Sequence, residues 1–247
     1  MLYCLVAFGS NLGDSGQIFK NVLCSMESTG LSDVYCSGLL QTEPVGGPAG
    51  QPAFYNACVR FSTELNGVEL IDLLRNIEAG LGRQRHQRWG PRIVDLDLLL
   101  MGDLVKEDPE LTIPHPRMSF RRFVLQPAAE IAAEMVHPTS GLTIGELLRR
   151  LDEKPDRVVL VTDRGADVSN VIELAGKTCA ENDFEFLVST DSMDAAESKL
   201  VVYSVDDNKE LVRQAARVPG ATLALSGLTI DSVSEELPAA LAAMKSL

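Results

Sequence analysis

The residues with the clearest capacity for chemistry lie between positions 83 and 97. An apolar run at 93–101 is interrupted only by Asp95 and Asp97. Read as a strand, its two-residue period puts both carboxylates on one face and Val94, Leu96 and Leu98 on the other. Two such charges, roughly 7 Å apart at an effective dielectric near 20, repel by about 2 kcal/mol before any desolvation cost. A hard divalent cation relieves that repulsion, and Mg²⁺ is commonly held by one or two carboxylates together with substrate phosphates. Water on an exposed strand face is the alternative. Immediately upstream, Arg83, Arg85, Arg88 and Arg92 cluster around Gly82, Trp89, Gly90 and Pro91. Planar guanidinium groups clamp phosphate oxygens through two donors at once, although surface arginines also serve solubility. Transfer of phosphoryl-type groups needs charge neutralisation and positioning more than a covalent nucleophile, and this combination supplies both.

Other routes to the same chemistry are missing from the sequence. There is no G-x-x-x-x-G-K-[ST] loop and no H-R-D or D-F-G triplet, so any ATP site must use another scaffold. Gly46-Gly47-Pro48-Ala49-Gly50 is too generic to be a phosphate loop. The three histidines, His86, His115 and His137, do not combine with the scattered cysteines into a zinc cluster.

The elements that must position these residues follow from periodicity. Residues 2–8 form an apolar run ending in Gly9-Ser10-Asn11, a buried strand feeding a turn. Asp14 with Gln17 predicts a capping box, followed by a helix with Ile18, Val22 and Met26 on one face. Residues 34–42 and 55–63 read as strands, the second alternating Tyr55, Ala57, Val59 and Phe61 with polar neighbours. The Gly- and Pro-rich stretch 43–52 between them reads as a loop. Leu70, Leu74, Ile77 and Leu81 mark a second helix closed by Gly82, with Arg75 and Glu78 on its more polar side. Two strand–helix–strand passages around a hairpin predict an α+β sandwich with a mainly antiparallel sheet.

A charged segment at 152–156 reads as a linker between a domain at 1–151 and a second at 157–247. In the latter, strand-like runs at 158–161, 184–188, 200–205 and 221–225 alternate with helical stretches, one marked by Val168, Val171, Ile172, Ala175 and Cys179. This predicts a small α/β domain with a parallel sheet, Rossmann-like or flavodoxin-like. Asp163, Asp191 and Ser226 fall near its strand ends, where open sheets bind ligands and where turn-forming residues are also expected.

The formal net charge of −13 argues against a nucleic-acid partner. Residues 1–156 carry 14 basic and 20 acidic side chains, a net of −6, while 157–247 carry 8 and 15, a net of −7. The acidity is thus concentrated in the shorter C-terminal part. Five widely spaced cysteines without a C-x-x-C pair suit a reducing cytoplasm. No run approaches the length of a membrane span, so neither membrane nor export is expected.

The stretch Arg88-Trp89-Gly90-Pro91-Arg92-Ile93-Val94-Asp95-Leu96-Asp97-Leu98-Leu99 closely resembles the signature of the 6-hydroxymethyl-7,8-dihydropterin pyrophosphokinase family. The resemblance extends to Gly9-Ser10-Asn11-Leu12-Gly13-Asp14, Phe54-Tyr55-Asn56-Ala57, Thr112-Ile113-Pro114-His115-Pro116 and Arg121-Arg122-Phe123, in family order across about residues 1–150. It implies a ferredoxin-like α/β sandwich that transfers pyrophosphate from ATP to a pterin, releasing AMP with the help of two Mg²⁺ ions. By the same resemblance Asp95 and Asp97 hold both metals and orient the attacking hydroxyl, and Arg83 and Arg92 stabilise transferring charge. Arg85, Arg88, Thr112, His115 and Arg121 hold the nucleotide, with Glu78 and Leu98 near its base or ribose. Asn56 matches the edge of the pterin with its amide, Phe54 and Phe123 stack on it, and Thr42, Pro44 and Val45 line its pocket. Trp89 closes over it, and the arginine loop and 43–52 are lids.

Arg75, Glu110 and Ser119-Phe120 depart from the family pattern. They motivate a second reading, a kinase-like binding or assembly protein acting through its acidic C-terminal domain. Self-association through that domain is the one macromolecular partnership this leaves open.

Overall fold

The computed structural model describes residues 1–83, 90–108, 110–163, 168–190, 195–204, 206–207, 209–216, 218 and 220–245. They divide into two compact units, Met1–His115 with Phe123–Pro138, and Pro116–Arg122 with Thr139–Ser246.

In the first unit β1 (Leu2–Ser10) leads to α1 (Ser15–Ser28). Asp14 caps that helix by accepting from Gln17 N, but the Gln17 side chain turns to Asn21 Oδ1 at 3.0 Å, so only half of the expected capping box forms. The helix buries Phe19, Val22 and Met26, with the Phe19 ring 4.8 Å from that of Phe8 and Ile18 at the margin of the core. After β2 (Ser32–Cys36), β3 (Leu40–Thr42) and β4 (Phe54–Thr63), α2 (Gly67–Gly80) starts from a full capping box between Asn66 and Glu69. β5 (Asp95–Met101) follows, then the short antiparallel pair β6 (Lys106–Glu107) and β7 (Thr112–Ile113).

The expected single strand at 34–42 is two strands. Buried Ser37 interrupts the pairing: its N–H donates to Cys58 O, its Oγ accepts from Cys58 N and donates to Gly38 O, and Gly38 N donates to Glu130 Oε2 at 2.9 Å. A side chain that competes for backbone partners ends a ladder, a signal that apolar alternation does not carry.

The sheet runs β2-β4-β1-β5, with β3 also on β4, and all its pairs are antiparallel. Cys4, Val6 and Phe8 of β1 face one way, with Val59, Phe61, Leu96 and Leu98, and pack against Val22, Met26, Leu70 and Leu74 of the two helices. Period-two geometry then commits Ala7, Gly9, Asn56, Cys58, Asp95 and Asp97 to the opposite face. There α3 (Arg122–Ala132) covers the Cys58 end, with Cys58 Sγ near Val124 O.

The second unit has α4 (Ile144–Glu153), β8 (Arg157–Val161), α5 (Ser169–Glu181), β9 (Glu185–Ser189), β10 (Leu200–Ser204), α6 (Lys209–Ala216), β11 (Ala221–Leu225) and α7 (Ile230–Met244). Its four strands pair in parallel in the order β11-β10-β8-β9, the predicted small α/β domain. Val159, Val161, Val201 and Tyr203 pack with Leu211 and Ala215 of α6, while α5 and α7 pack on one another. Because α4 continues through Asp152 and Glu153, only 154–156 connect it to β8.

A short 3-10 helix, Met118–Phe120, belongs to this unit, and all three of its residues are buried. Ser119 Oγ accepts from Thr222 N of β11 at 3.5 Å, and Arg122 reaches Asp152 at 2.7 Å and Met244 O at 3.3 Å. The departing pair Ser119-Phe120 is therefore part of a packed interior. No helix of the described residues is long and apolar enough to cross a membrane.

Candidate active site

The floor of the site is set by register. Across three neighbouring strands Asn56, Gly9 and Asp95 stand in one row, and Cys58, Ala7 and Asp97 in the next row on the same face. Adjacent strands lie about 4.8 Å apart, so the central strand contributes only a hydrogen and a methyl group between two chemically active flanks. A larger residue on β1 would fill this hollow: a Cβ on Gly9 would meet Asn56 Oδ1 and Asp95 Cβ at 3.9 Å each.

On one flank Asn56 Nδ2 donates to Thr42 Oγ1 at 2.9 Å and both residues are buried. The pairing Leu40↔Asn56 and Thr42↔Phe54 makes this contact, so the short strand β3 exists where the amide needs an orienting partner. Pro44 and Val45 follow, half-buried, in a loop whose Gly46, Gly47 and Gly50 all take positive φ.

On the other flank sits a chain of charges. Asp95 Oδ1 accepts from Arg83 Nη2 at 2.6 Å, and its Oδ2 pairs with Arg92 Nη1. Arg83 Nη1 in turn pairs with Glu78 Oε1, which also accepts from Leu96 N at 2.7 Å. Glu78 is 4 % exposed, which corrects its expected place on the polar side of α2. At the last turn of the helix it looks inward, because one helical residue there must meet the β5 backbone and the base of Arg83. Burial is the main cause raising the carboxyl groups of both Glu78 and Asp95 above the ordinary carboxylate range. For Asp95 the Asp97 charge adds to the rise, and the arginines oppose it in both cases.

Asp97 is more open, its side chain 41 % exposed, and its Oδ2 lies 3.9 Å from His115 Nε2. His115 is held by its N–H to Leu99 O at 2.9 Å. Thr112, exposed on β7, lies close in sequence, its Oγ1 3.4 Å from Asp108 O. Phe54 is half-buried with the Arg92 guanidinium 6.0 Å from its ring, and Phe123 is half-buried at the start of α3. Leu98 is placed in the hydrophobic core. Arg121 belongs to the segment Pro116–Arg122 of the second unit. Arg85, Arg88 and Trp89 lie outside the described residues.

One residue without a role in the sequence reading joins two loops. Asn11 Oδ1 accepts from Arg92 N at 2.8 Å while Nδ2 donates to Pro52 O at 3.2 Å, and Asn11 N donates to Arg92 O. Its place in Gly9-Ser10-Asn11 at a strand end was the available signal.

Paired strand carboxylates beside two guanidiniums, with an oriented amide across a floor of small residues, share one face of an antiparallel α/β sandwich, an arrangement suited to polyphosphate chemistry. Comparison with known proteins narrows this class. The family model for 7,8-dihydro-6-hydroxymethylpterin-pyrophosphokinase matches residues 5–133, and the chain belongs to that family. The 2-amino-4-hydroxy-6-hydroxymethyldihydropteridine pyrophosphokinase of Synechocystis is 39% identical over 149 residues, 60% of this chain and 75% of that protein. The Bacillus subtilis enzyme of the same name is 40% identical over 131 residues, covering 53% and 78%. The folic acid synthesis protein FOL1 of Dictyostelium discoideum is 29% identical over 255 residues, 94% of this chain and 37% of that one. The reaction is pyrophosphoryl transfer from ATP to hydroxymethyldihydropterin, in folate biosynthesis.

Proposed function

We propose that Asp95 and Asp97 hold the magnesium of this reaction, that Arg83 and Arg92 neutralise the migrating pyrophosphate, and that the pterin lies across the Gly9 floor against Asn56. The observation that carries this reading is the placement of both carboxylates, both guanidiniums and the Asn56 amide on or beside one sheet face. The donor set fits the metal: two hard carboxylates two residues apart, one of them strained by burial and by its neighbour's charge. When bound, magnesium supplies charge neutralisation to the polyphosphate.

In the reaction the hydroxymethyl oxygen of the pterin bonds to the β-phosphorus of ATP, the bridge to the α-phosphate breaks, AMP departs, and one proton is released. The chain's own part is to hold the two ends in line. Asn56, oriented by Thr42, reads the heterocycle through an amide that both donates and accepts, with Phe54 and Phe123 stacking on the ring and Pro44, Val45 and Trp89 enclosing it. Arg85, Arg88, Thr112 and His115 are assigned to the nucleotide. Glu78 acts through Arg83, and Leu98 stands near the base or ribose with its side chain in the core.

The reaction is assigned to residues 1–151 and to the cytoplasm, a compartment in keeping with five free thiols. For 157–247 the assignment is self-association, in keeping with Leu187 and Val188 exposed on β9 at the end of its sheet. A monomer mass at every concentration in light scattering removes it.

Incubation with ATP, Mg²⁺ and hydroxymethyldihydropterin should release AMP and form the pterin diphosphate. Release of ADP, or of no nucleotide product, would overturn the assignment.

A further inference from the structure

Both oxygens of Asp95 are already taken. Arg83 holds Oδ1 and Arg92 holds Oδ2, and Glu78 holds Arg83 from behind. These two carboxylates and two guanidiniums cancel, and Asp97 adds to the same face a charge that none of the four offsets, with His115 Nε2 3.9 Å away. A divalent cation approaching the bare enzyme therefore meets the repulsion of two guanidinium charges at Asp95, in a partly buried setting where charges are poorly screened.

The two arginines are not equivalent. Arg83 is tethered at both ends of its fork, to Asp95 and to the buried Glu78, which is itself fixed to the β5 backbone. Arg92 is held at its backbone by Asn11; among the described residues its side chain pairs with one carboxylate, Asp95, and its Nε donates to Gly90 O at 3.4 Å. A triphosphate offers Arg92 more charge than Asp95 does, in the bidentate geometry guanidinium prefers.

From this arrangement we infer that Arg92 is an internal counter-ion that keeps the metal site closed to a lone cation and yields Asp95 only when a polyphosphate draws it away. The inference rests on the metal reading given above. Arg92 thereby makes metal loading depend on nucleotide, and the enzyme does not fill its carboxylates with a cation that lacks a substrate to bridge.

The test is titration of the full-length protein with Mn²⁺ alone, free Mn²⁺ being read by electron paramagnetic resonance. Arg92→Ala should bind Mn²⁺ about tenfold more tightly than the wild type in the absence of nucleotide. Arg92→Lys, which keeps a cation beside Asp95, should stay within about twofold of the wild type. Arg92→Gln carries the same expectation as Arg92→Ala if the latter fails to fold. Equal Mn²⁺ affinity in wild type and neutral variants overturns the counter-ion role and leaves the metal reading intact. With a non-hydrolysable ATP analogue present, Mn²⁺ binding that is unchanged in Asp97→Asn overturns the metal reading itself.

Discussion

The two sheets of this protein solve the problem of carrying polar groups in opposite ways. The antiparallel sheet of the first unit packs one face on α1 and α2 and keeps part of the other for Asn56, Asp95 and Asp97. The parallel sheet of the second has helices over its strands, so that β8 and β10 are almost wholly buried, with buried polar groups at their ends: Ser204 closes β10 and Thr162 follows β8. Antiparallel ladders tolerate a solvated face, and parallel ones rarely do. A strand with acidic residues at every second position is therefore a site in the first architecture and would be a defect in the second.

That contrast predicts where substitutions act on chemistry and where they act only on stability. The largest effect should come from Asp97→Ala: AMP formation falls by about a thousandfold, while the thermal midpoint stays near that of the wild type because the side chain is open to solvent. Near-normal turnover in this variant would erase the distinction between the two sheets.

Glu78→Ala tests whether the active face also depends on a buried ion pair. Removing one partner of such a pair costs about 3 kcal/mol, so urea unfolding should shift accordingly and activity should fall with it, since Arg83 loses its anchor. A stable and fully active variant would show that Arg83 needs no support.

The pH dependence should single out His137 of the first unit. Burial lowers its pKa from 6.5 to about 4, so the folded form keeps it neutral. The stability it contributes is complete above pH 6.5 and is lost as pH falls from there to 4, a span worth about 3 kcal/mol. Unfolding free energies measured across this window should fall less steeply in His137→Gln, and an unchanged slope would refute the assignment.

Asn56→Ala should raise KM for the pterin about tenfold, with KM for ATP little changed, because one buried polar partner of the heterocycle is removed. Equal effects on both substrates would place Asn56 elsewhere in the mechanism. The smallest effect belongs to the second unit: Thr229→Ala removes the cap of α7, costing about 1 kcal/mol by thermal unfolding with unchanged kinetics. Altered kinetics in that variant would give the parallel sheet a part in the reaction.

Much of this was legible in residue order. Alternation placed Asp95 and Asp97 on one face, and 3.6-residue spacing found α1, α2 and α5, because these depend on the period of the local backbone alone. What failed depended on partners distant in sequence. Ser37 breaks a strand through Cys58, Glu78 turns inward to meet Leu96 and Arg83, and Gln17 abandons the capping box for Asn21.

The sequence by itself determined the class of each sheet, the doublet of acids and the arginines beside it. Only the tertiary structure decided that Gly9 and Ala7 would make the floor, that Asn11 would join Arg92 to Pro52, and that Asp95 would be neutralised by two guanidiniums. The reason is physical: a period is written within a few residues, whereas register and charge pairing exist only between strands and loops that folding brings together.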